Sequence, residues 1–199
     1  MKKTLFFVRH GETVLNENGF VHDYHNISPL SQIGVRHIER LGESLQNENI
    51  EFIYHSPAVR ATQSARILAN ILDLKDLFAD YRLEERNWGE WGGKKWEEIA
   101  EKLGVMNITE RYQFIPPNGE SWENFEKRLL EFWQDLQLNQ YQNIAIVTHM
   151  GSIRALLPLI LSQPREKSFD YSFANASITQ LENDGDRYKI IKMNDISHL

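Results

Sequence analysis

The segment Leu5-Phe6-Phe7-Val8-Arg9-His10-Gly11-Glu12-Thr13 decides the fold that this sequence predicts. Four apolar residues before polar ones indicate a short buried strand, and Gly11 lets the chain turn sharply after it. Open α/β sheets bind ligands where their strands end, so Arg9 and His10 are placed for function. A guanidinium suits a phosphate or carboxylate, and an imidazole can act as acid, base or nucleophile near neutral pH. Taken alone, the two residues fit a solvated strand end equally well.

The composition is that of an ordinary globular chain. With 199 residues, 41% hydrophobic and 25% charged, it is long enough for one domain, which we expect to span residues 1–199. It has no cysteine, which excludes disulfides, zinc–thiolate sites and cysteine nucleophiles. The first apolar run stops at Arg9, too early for a signal peptide or a membrane span, so we expect a cytoplasmic protein with no membrane partner. The net charge of −6 argues against a nucleic-acid partner, although a few converging arginines could still hold a small anion.

A second strand-to-helix junction is predicted around Ser56. Residues 52–54 read as a short strand, after which Ser56 fits a helix N-cap and Pro57 the first helical position. This places Arg60 in the first turn of the helix, near the carboxyl end of the preceding strand. Arg60 would then occupy the position that Arg9 has at its own junction, and a solvated surface arginine is the alternative.

A third junction follows the apolar run of residues 143–147, which is typical of a strand buried on both faces. It leads to His149 and to a helix that we expect to begin near Ser152, whose N-terminal N–H groups would favour an anion. Residues 177–181 and 188–193 indicate two final strands that form a hairpin.

The alternation of strands and helices predicts the α/β class, as a three-layer α/β/α sandwich whose mostly parallel central sheet has helices on both faces. Parallel strands bring such junctions to one edge of the sheet. Arg9, His10, Arg60 and His149 would there form a pocket for a tetrahedral dianion. Phosphoryl transfer through a phosphohistidine follows from these parts without a metal. The missing Walker A and GxGxxG patterns argue against nucleotide-triphosphate and dinucleotide enzymes.

The segments between these junctions are less regular. Residues 14–29 show neither the apolar periodicity of a helix nor that of a strand, and they are expected as a loop. Within it, the cluster His22-Asp23-Tyr24-His25 fits a substrate-facing or solvated loop better than a metal site. Residues 83–93 combine two tryptophans with three glycines. This predicts a compact loop that fixes nearby carboxylates, one of which could give a leaving group its proton. Ser31 and Ser121 fit the N-caps of two amphipathic helices.

Together these motifs resemble the histidine phosphatase superfamily, also called the phosphoglycerate mutase-like family, over nearly the whole chain. The matching segments are Arg9-His10-Gly11-Glu12-Thr13 with Asn16, Ser56-Pro57 with residues 60–65, Leu83-Glu84-Glu85 with Gly89-Glu90-Trp91 and Gly93, residues 118–121, residues 147–151 with Ile153-Arg154, and Asn194-Asp195 with His198-Leu199. The chain departs from the family pattern in the loop after Asn16, which carries one extra residue. It also departs at Gly92 and Met150, where the family often has Glu and Gly.

The resemblance implies a catalytic role for five residues. His10 would become phosphorylated, while Arg9, Arg60 and His149 would hold the phosphoryl oxygens and stabilise charge during transfer. Glu85 would protonate the leaving alcohol and then activate the water that hydrolyses the phosphoenzyme. The resemblance implies no metal and no cofactor.

Other residues of the same motifs are implied to bind substrate or to compete for the acid role. The resemblance implies substrate contacts from Asn16 and from the backbone N–H of Met150, and His22, in the loop that departs from the family pattern, is a further candidate. Glu84 and Glu90 are the competing carboxylates, and the spacing before Gly89-Glu90-Trp91 favours Glu85. Residues 19–26, the loop of Trp88 and Trp91, and residues 104–117 are expected to select the alcohol part of the substrate.

We favour hydrolysis of a small phosphomonoester, with inorganic phosphate as a product, over mutase action. The mutases of this family are longer and carry inserted segments over the site. A catalytically silent phospho-ligand binding module is the third alternative, and the complete set of reactive residues argues against it. We expect a histidine acid-type phosphatase with a mildly acidic optimum, since Glu85 must be protonated to act as an acid. The alcohol stays open among phosphosugars, phosphoglycerates, phosphoserine and a ribazole phosphate, and the oligomeric state stays open too.

Overall fold

A six-stranded mixed sheet forms the centre of residues 3–22 and 27–199, the part of the chain that the computed structural model describes. Its strands are β1 (Lys3–Arg9), β2 (Phe52–His55), β3 (Leu77–Ala79), β4 (Asn143–Thr148), β5 (Ile178–Asn183) and β6 (Tyr188–Asp195). They lie in the order β3-β2-β4-β1-β5-β6. The first four are parallel to one another, while β5 and β6 are antiparallel and form the predicted hairpin. The predicted mostly parallel sheet is confirmed.

Seven α-helices accompany the sheet within these ranges. They are α1 (Val14–Glu17), α2 (Gln32–Ser44), α3 (Val59–Ile71), α4 (Trp96–Gly104), α5 (Ile108–Gln113), α6 (Trp122–Gln137) and α7 (Met150–Ile160). Short 3-10 turns occur at Tyr81–Leu83, Gly89–Trp91 and Arg165–Phe169. Within the described part of the chain, none of the helices has the length and apolar character needed to cross a bilayer.

The side chains of β1 alternate between two cores. Leu5 and Phe7 belong to a cluster with α6 and α7, whereas Phe6 and Val8 belong to a cluster with α2 and α3. All four are fully buried, and each such side chain contributes about 1.5–3 kcal/mol through burial. The helices therefore cover both faces of the sheet, which confirms the predicted three-layer α/β/α architecture.

The register of the parallel strands aligns the three predicted junctions. β1 lies beside β4 with Arg9 opposite Thr148, and β2 lies on the other side of β4 with His55 opposite Val147. The three strands end at the same edge of the sheet, so the residues that follow them converge there.

The predicted helix start at Ser56 and Pro57 is wrong. Helix α3 begins at Val59, and its N-cap Ala58 makes no side-chain capping bond. The hydroxyl of Ser56 lies instead 2.8 Å from Nε2 of His149. The same hydroxyl also accepts a hydrogen bond from the backbone N–H of Ala58 at 3.3 Å, so Ser56 links the turn before α3 to a distant histidine.

Helix α7 also begins earlier than predicted. It starts at Met150 rather than near Ser152, with His149 as its N-cap residue. Its first turn consequently lies directly at the end of β4. By contrast, the predicted caps Ser31 and Ser121 accept hydrogen bonds from the backbone of α2 and α6 as expected.

Three short elements were not foreseen. Residues 14–29 were expected as a loop, but Thr13 and Asn16 form a reciprocal capping box that starts the single-turn helix α1. Strand β3 has three residues and α5 has six, too few for a readable periodicity. Asp23, Tyr24, His25 and Asn26 lie outside the described residues, so the expectations for this part of the loop stay predictions.

Candidate active site

The guanidinium of Arg60 lies between two buried histidines. Its Nε is 3.2 Å from Nε2 of His10, and its Nη2 is 3.2 Å from Nδ1 of His149. The two imidazole rings are 5.1 Å apart, edge to face, and all three side chains are at most 4% exposed. Three chain segments that are distant in sequence thus meet in one cluster, as the junctions predicted.

The hydrogen bonds of His10 select one tautomer. Nδ1 lies 2.8 Å from the carbonyl of Gly11, so Nδ1 carries the proton and donates it. Nε2 accepts from Arg60 and therefore carries the lone pair. A neutral imidazole whose Nε2 has a lone pair is the form that can attack phosphorus.

The electrostatic environment keeps these histidines neutral. Burial, reinforced by the charges of Arg60 and Arg9, holds the pKa of His10 well below its ordinary value of 6.5. Burial and Arg60 do the same for the pKa of His149. Burial, Arg60 and Arg9 lower the pKa of His22 to about 3. The positive charge of the site therefore resides on arginine, and the three imidazoles are neutral.

Arg9 contributes a buried donor at the end of β1. Its Nη1 donates to the carbonyl of Phe173 at 2.6 Å, while its Nε is buried and has no hydrogen-bond partner among the described residues. Burial lowers the pKa of Arg9 to about 10, so the side chain stays charged near neutral pH. A buried unsatisfied N–H of a charged group favours an anion beside it.

Asn16 and His22 are held by a network around Thr13. The hydroxyl of Thr13 donates to Oδ1 of Asn16 at 3.0 Å and lies 3.0 Å from Nε2 of His22. Nδ2 of Asn175 donates to the carbonyl of His10 at 3.1 Å and to Oδ1 of Asn16 at 3.2 Å. Because Oδ1 of Asn16 already has these donors, its amide N–H₂ is the group left for a ligand.

Glu85 sits against the N-terminus of α7. Its Oε2 accepts from the backbone N–H of Gly151 at 3.0 Å, and its Oε1 accepts from the backbone N–H of Arg86 at 2.9 Å. A Cβ on Gly151 would lie 2.0 Å from Oε1 of Glu85, so this close approach requires glycine.

The geometry separates Glu85 from its competitors. Glu85 lines the same cavity as Arg9, His10 and Arg60, and neither Glu84 nor Glu90 does. Burial raises the pKa of Glu84, but its side chain lies away from the cavity. Glu90 is exposed and accepts from Nδ2 of Asn118 at 2.9 Å.

These groups open into a cavity of about 470 Å³. Its lining includes Arg9, His10, Asn16, His22, Arg60 and Glu85, with Met150 and Gly151 from the start of α7. His149 is missing from the cavity surface, and it contacts Arg60 and Ser56 behind that lining. The lining also carries three more arginines, Arg86, Arg111 and Arg154, and apolar side chains such as Phe20, Trp88, Trp96 and Phe169. The described lining holds five arginines and one carboxylate, so an acidic protein has a strongly basic cavity.

For some parts of the cavity, the sequence analysis named whole segments and not individual residues. Residues 19–22, Trp88 and Arg111 line the cavity, which agrees with the segments expected to select the alcohol, whereas Trp91 packs behind it. Ser56 was assigned to a helix cap, and Asn175 was not singled out. No local pattern marks Asn175, because its partners are about 160 residues earlier in the chain.

The described part of the chain forms no metal site with His22. Within residues 3–22 and 27–199, no group of three or more His, Asp or Glu side chains has a geometry that could hold a metal ion. The remaining members of the His22 cluster lie outside those ranges.

Comparison with known proteins agrees with this geometry. The family model for the histidine phosphatase superfamily (branch 1) matches residues 5–196. The chain belongs to the histidine phosphatase superfamily. The motif resemblance noted above is thereby confirmed at the family level.

Relatives in this superfamily carry different names. A protein of Hydrogenobacter thermophilus named "Putative phosphoserine phosphatase 2" is 30% identical over 199 residues, which cover 98% of this chain and 97% of the relative. A 2,3-bisphosphoglycerate-dependent phosphoglycerate mutase of Thermoplasma acidophilum is 30% identical over 181 residues, or 90% of this chain and 87% of the relative. Among solved structures, a mycobacterial glucosyl-3-phosphoglycerate phosphatase superposes with a TM-score of 0.83 at 23% identity, covering 98% of this chain and 99% of the other. The last similarity shows the shared fold.

Proposed function

We propose that this protein is a metal-independent phosphomonoester hydrolase that transfers a phosphoryl group first to His10 and then to water. The observation that carries the proposal is the contact between Nε of Arg60 and Nε2 of His10, beside a cavity that Glu85 also lines. A neutral imidazole, a fixed positive charge and a carboxyl group around one space support this proposal.

In the first step, the lone pair of His10 Nε2 attacks phosphorus. The N–P bond forms as the P–O bond to the alcohol breaks, and the protonated carboxyl group of Glu85 gives its proton to the leaving oxygen. Arg9 and Arg60 stabilise the negative charge on the phosphoryl oxygens, and His149 completes this set through its contact with Arg60.

In the second step, the carboxylate of Glu85 takes a proton from water. The resulting hydroxide attacks phosphorus, the N–P bond breaks, and His10 and inorganic phosphate are released. Asn16 and the first turn of α7 at Met150 face the same space and would bind phosphoryl oxygens in both steps. Because Glu85 must begin protonated, we propose an acid-type phosphatase with a mildly acidic optimum.

The number of arginines in the cavity lining supports a substrate with a second anionic group. Arg86, Arg111 and Arg154 add three positive charges beyond those that face the phosphoryl group. Phosphoserine and phosphoglycerates each carry a carboxylate near the phosphate, and these are the substrates named for the relatives. We propose a small phosphomonoester of this kind as substrate, inorganic phosphate as product and the cytoplasm, where such metabolites occur, as the location.

Mutase action is the second candidate because a mutase of T. acidophilum is 30% identical to this chain. That relative is matched over 87% of its length, so chain length does not separate the two activities. We keep hydrolysis as the proposed reaction because a phosphatase-named relative is matched more completely at the same identity.

A substrate panel in EDTA tests the proposal. The purified protein should release phosphate from p-nitrophenyl phosphate and, with higher kcat/KM, from phosphoserine and 3-phosphoglycerate. Glycerol phosphate, which lacks the carboxylate, is the matched control. A coupled assay for interconversion of 2- and 3-phosphoglycerate runs in parallel. Dependence on added magnesium would contradict the mechanism, and interconversion without phosphate release would favour the mutase.

A further inference from the structure

The backbone that leads to Glu85 is held mainly by side chains. Residues 82–85 belong to no strand, yet four consecutive carbonyl groups each accept a side-chain hydrogen bond. The donors are Arg128 to the carbonyls of residues 82, 84 and 85, Thr148 to that of residue 83, and Ser152 to those of residues 83 and 84. Buried carbonyl groups need partners, so these side chains fix the path of the loop.

Arg128 makes the largest share of these contacts. From α6, its Nη1 donates to the carbonyl of Arg82 at 2.7 Å and to that of Glu84 at 2.9 Å, and its Nη2 donates to that of Glu85 at 3.0 Å. The same guanidinium stacks on the ring of Phe125, 4.7 Å from its centroid. One planar cation thus contacts three peptide groups in a row, including the peptide of Glu85 itself.

Glu120 orients this guanidinium. Its two oxygens accept from Nε of Arg128 at 2.9 Å and from Nη2 at 3.0 Å, a bidentate pair in which the side chains are 17% and 18% exposed. Bidentate geometry fixes the plane of a guanidinium as well as its position. The pair sets the direction of the N–H groups that meet the loop.

The backbone and the carboxyl group of Glu85 are therefore anchored by two different helices, α6 and α7. Arg128 holds the backbone carbonyl of Glu85, while the N–H of Gly151 holds its carboxylate at 3.0 Å. A displacement of about 1 Å at a catalytic group can slow a reaction by roughly 10²-fold. We propose that Arg128, oriented by Glu120, is a positioning residue that places the carboxyl group of Glu85 for proton transfer. This inference rests on the proposed role of Glu85 as general acid.

The leaving group distinguishes positioning from a merely structural role. Nitrophenolate leaves with little protonation, whereas an alkoxide must be protonated as it departs. Loss of acid catalysis therefore slows alkyl phosphates far more than p-nitrophenyl phosphate. A general loss of folded protein slows both substrates by the same factor.

The experiment compares four variants on p-nitrophenyl phosphate and 3-phosphoglycerate, with thermal unfolding measured for each. Arg128→Lys and Glu120→Gln disturb the bidentate pair that holds the loop, and Glu85→Gln removes the general acid. Arg165→Lys is the matched control, because Arg165 also pairs with a glutamate of α6, Glu126 at 2.7 Å, and has no hydrogen bond to the loop.

Arg128→Lys should lower kcat/KM, which reports phosphorylation of the enzyme and not its later hydrolysis, by about 10²-fold for 3-phosphoglycerate and by less than about 3-fold for p-nitrophenyl phosphate. Glu120→Gln should show a smaller difference in the same direction. It replaces Arg128→Lys as the test variant if Arg128→Lys does not fold. Arg165→Lys should show no asymmetry. If Glu85→Gln shows the asymmetry but Arg128→Lys and Glu120→Gln each slow the two substrates by the same factor, the inference is overturned and the proposed function stays intact. A Glu85→Gln variant without the asymmetry would refute the acid role and this inference with it.

Discussion

Nε of Arg60 lies 3.2 Å from Nε2 of His10, although both side chains are buried. A permanent cation this close disfavours a second positive charge on the imidazole, which is why burial and Arg60 together lower the pKa of His10. In the proposed mechanism, the same guanidinium supplies the positive charge beside the incoming phosphoryl group. A basic cavity in a protein of net charge −6 is thus built from a few residues at one sheet edge.

Acid should destabilise the unliganded protein. The pKa values of His10, His22 and His149 are lowered in the folded state, so below about pH 6.5 the unfolded chain binds protons that the folded chain does not. The free energy of unfolding should therefore fall as the pH falls from 6.5, by up to about 1.4 kcal/mol per pH unit for each histidine. Urea unfolding at pH 7, 6 and 5 measures this.

Added phosphate should reduce the decrease in the free energy of unfolding at acidic pH, because a bound anion favours protonated imidazoles. His22→Asn provides the control, since it removes one of the three histidines and should shallow the pH dependence. A free energy of unfolding that stays constant from pH 7 to pH 5 would contradict the neutral, buried state of these side chains.

Gly151→Ala should impair catalysis without unfolding the protein. The added methyl group would lie 2.0 Å from Oε1 of Glu85 and would push the carboxyl group out of place. We expect kcat for alkyl phosphates to fall by about 10²-fold. Gly104→Ala is the matched control, because a Cβ there has no atom within 4 Å. Equal activity of the two variants would show that the position of Glu85 does not matter.

Ser56→Ala should slow phosphoryl transfer. The hydroxyl of Ser56 lies 2.8 Å from Nε2 of His149 and fixes the orientation of the ring that contacts Arg60. Loss of one such hydrogen bond should lower kcat by about 10-fold. Ser168→Ala, which alters an equally buried serine bonded to Tyr112 and to the carbonyl of Arg165, should leave kcat unchanged. An unchanged kcat in Ser56→Ala would remove Ser56 from the site.

The sequence predicted the reactive part of this site because each residue has a fixed spacing to a recognisable strand end. Arg9 directly follows a short apolar run, His10 and His149 each come two residues after one, and Arg60 lies in the first turn of a helix with a clear apolar stripe. Glu85 needed the family pattern, since only folding shows that Glu84 and Glu90 face elsewhere.

The remaining features depend on contacts that no local pattern encodes. Ser56 was assigned to a cap because a capping serine and a serine that meets a distant histidine look alike in sequence. Arg128 contacts the carbonyl of a residue 43 positions away, and such pairing is set by the packing of α6 against the sheet. Strand β3 was missed because it is short and two of its three residues are exposed.

Arg111→Gln should raise KM for substrates with a second anionic group. Arg111 lines the cavity, where its Nε donates to the carbonyl of Leu103 at 3.0 Å. Loss of one charge-assisted bond predicts about a 10-fold higher KM for 3-phosphoglycerate. KM for glycerol phosphate should stay the same, and Arg66→Gln, on the exposed side of α3, should change neither. Equal effects on the two substrates would exclude Arg111 as a specificity determinant.

Trapping the phosphoenzyme tests the central claim most directly. Glu85→Gln is mixed with p-nitrophenyl phosphate and quenched rapidly in alkali, which preserves phosphohistidine, and the peptides are analysed by mass spectrometry. The good leaving group allows phosphorylation, while loss of the base slows hydrolysis, so the intermediate should accumulate. We predict one phosphoryl group on His10, and none in the Glu85→Gln protein that also carries His10→Ala. A phosphoryl group on another residue, or full turnover by His10→Ala alone, would contradict the account.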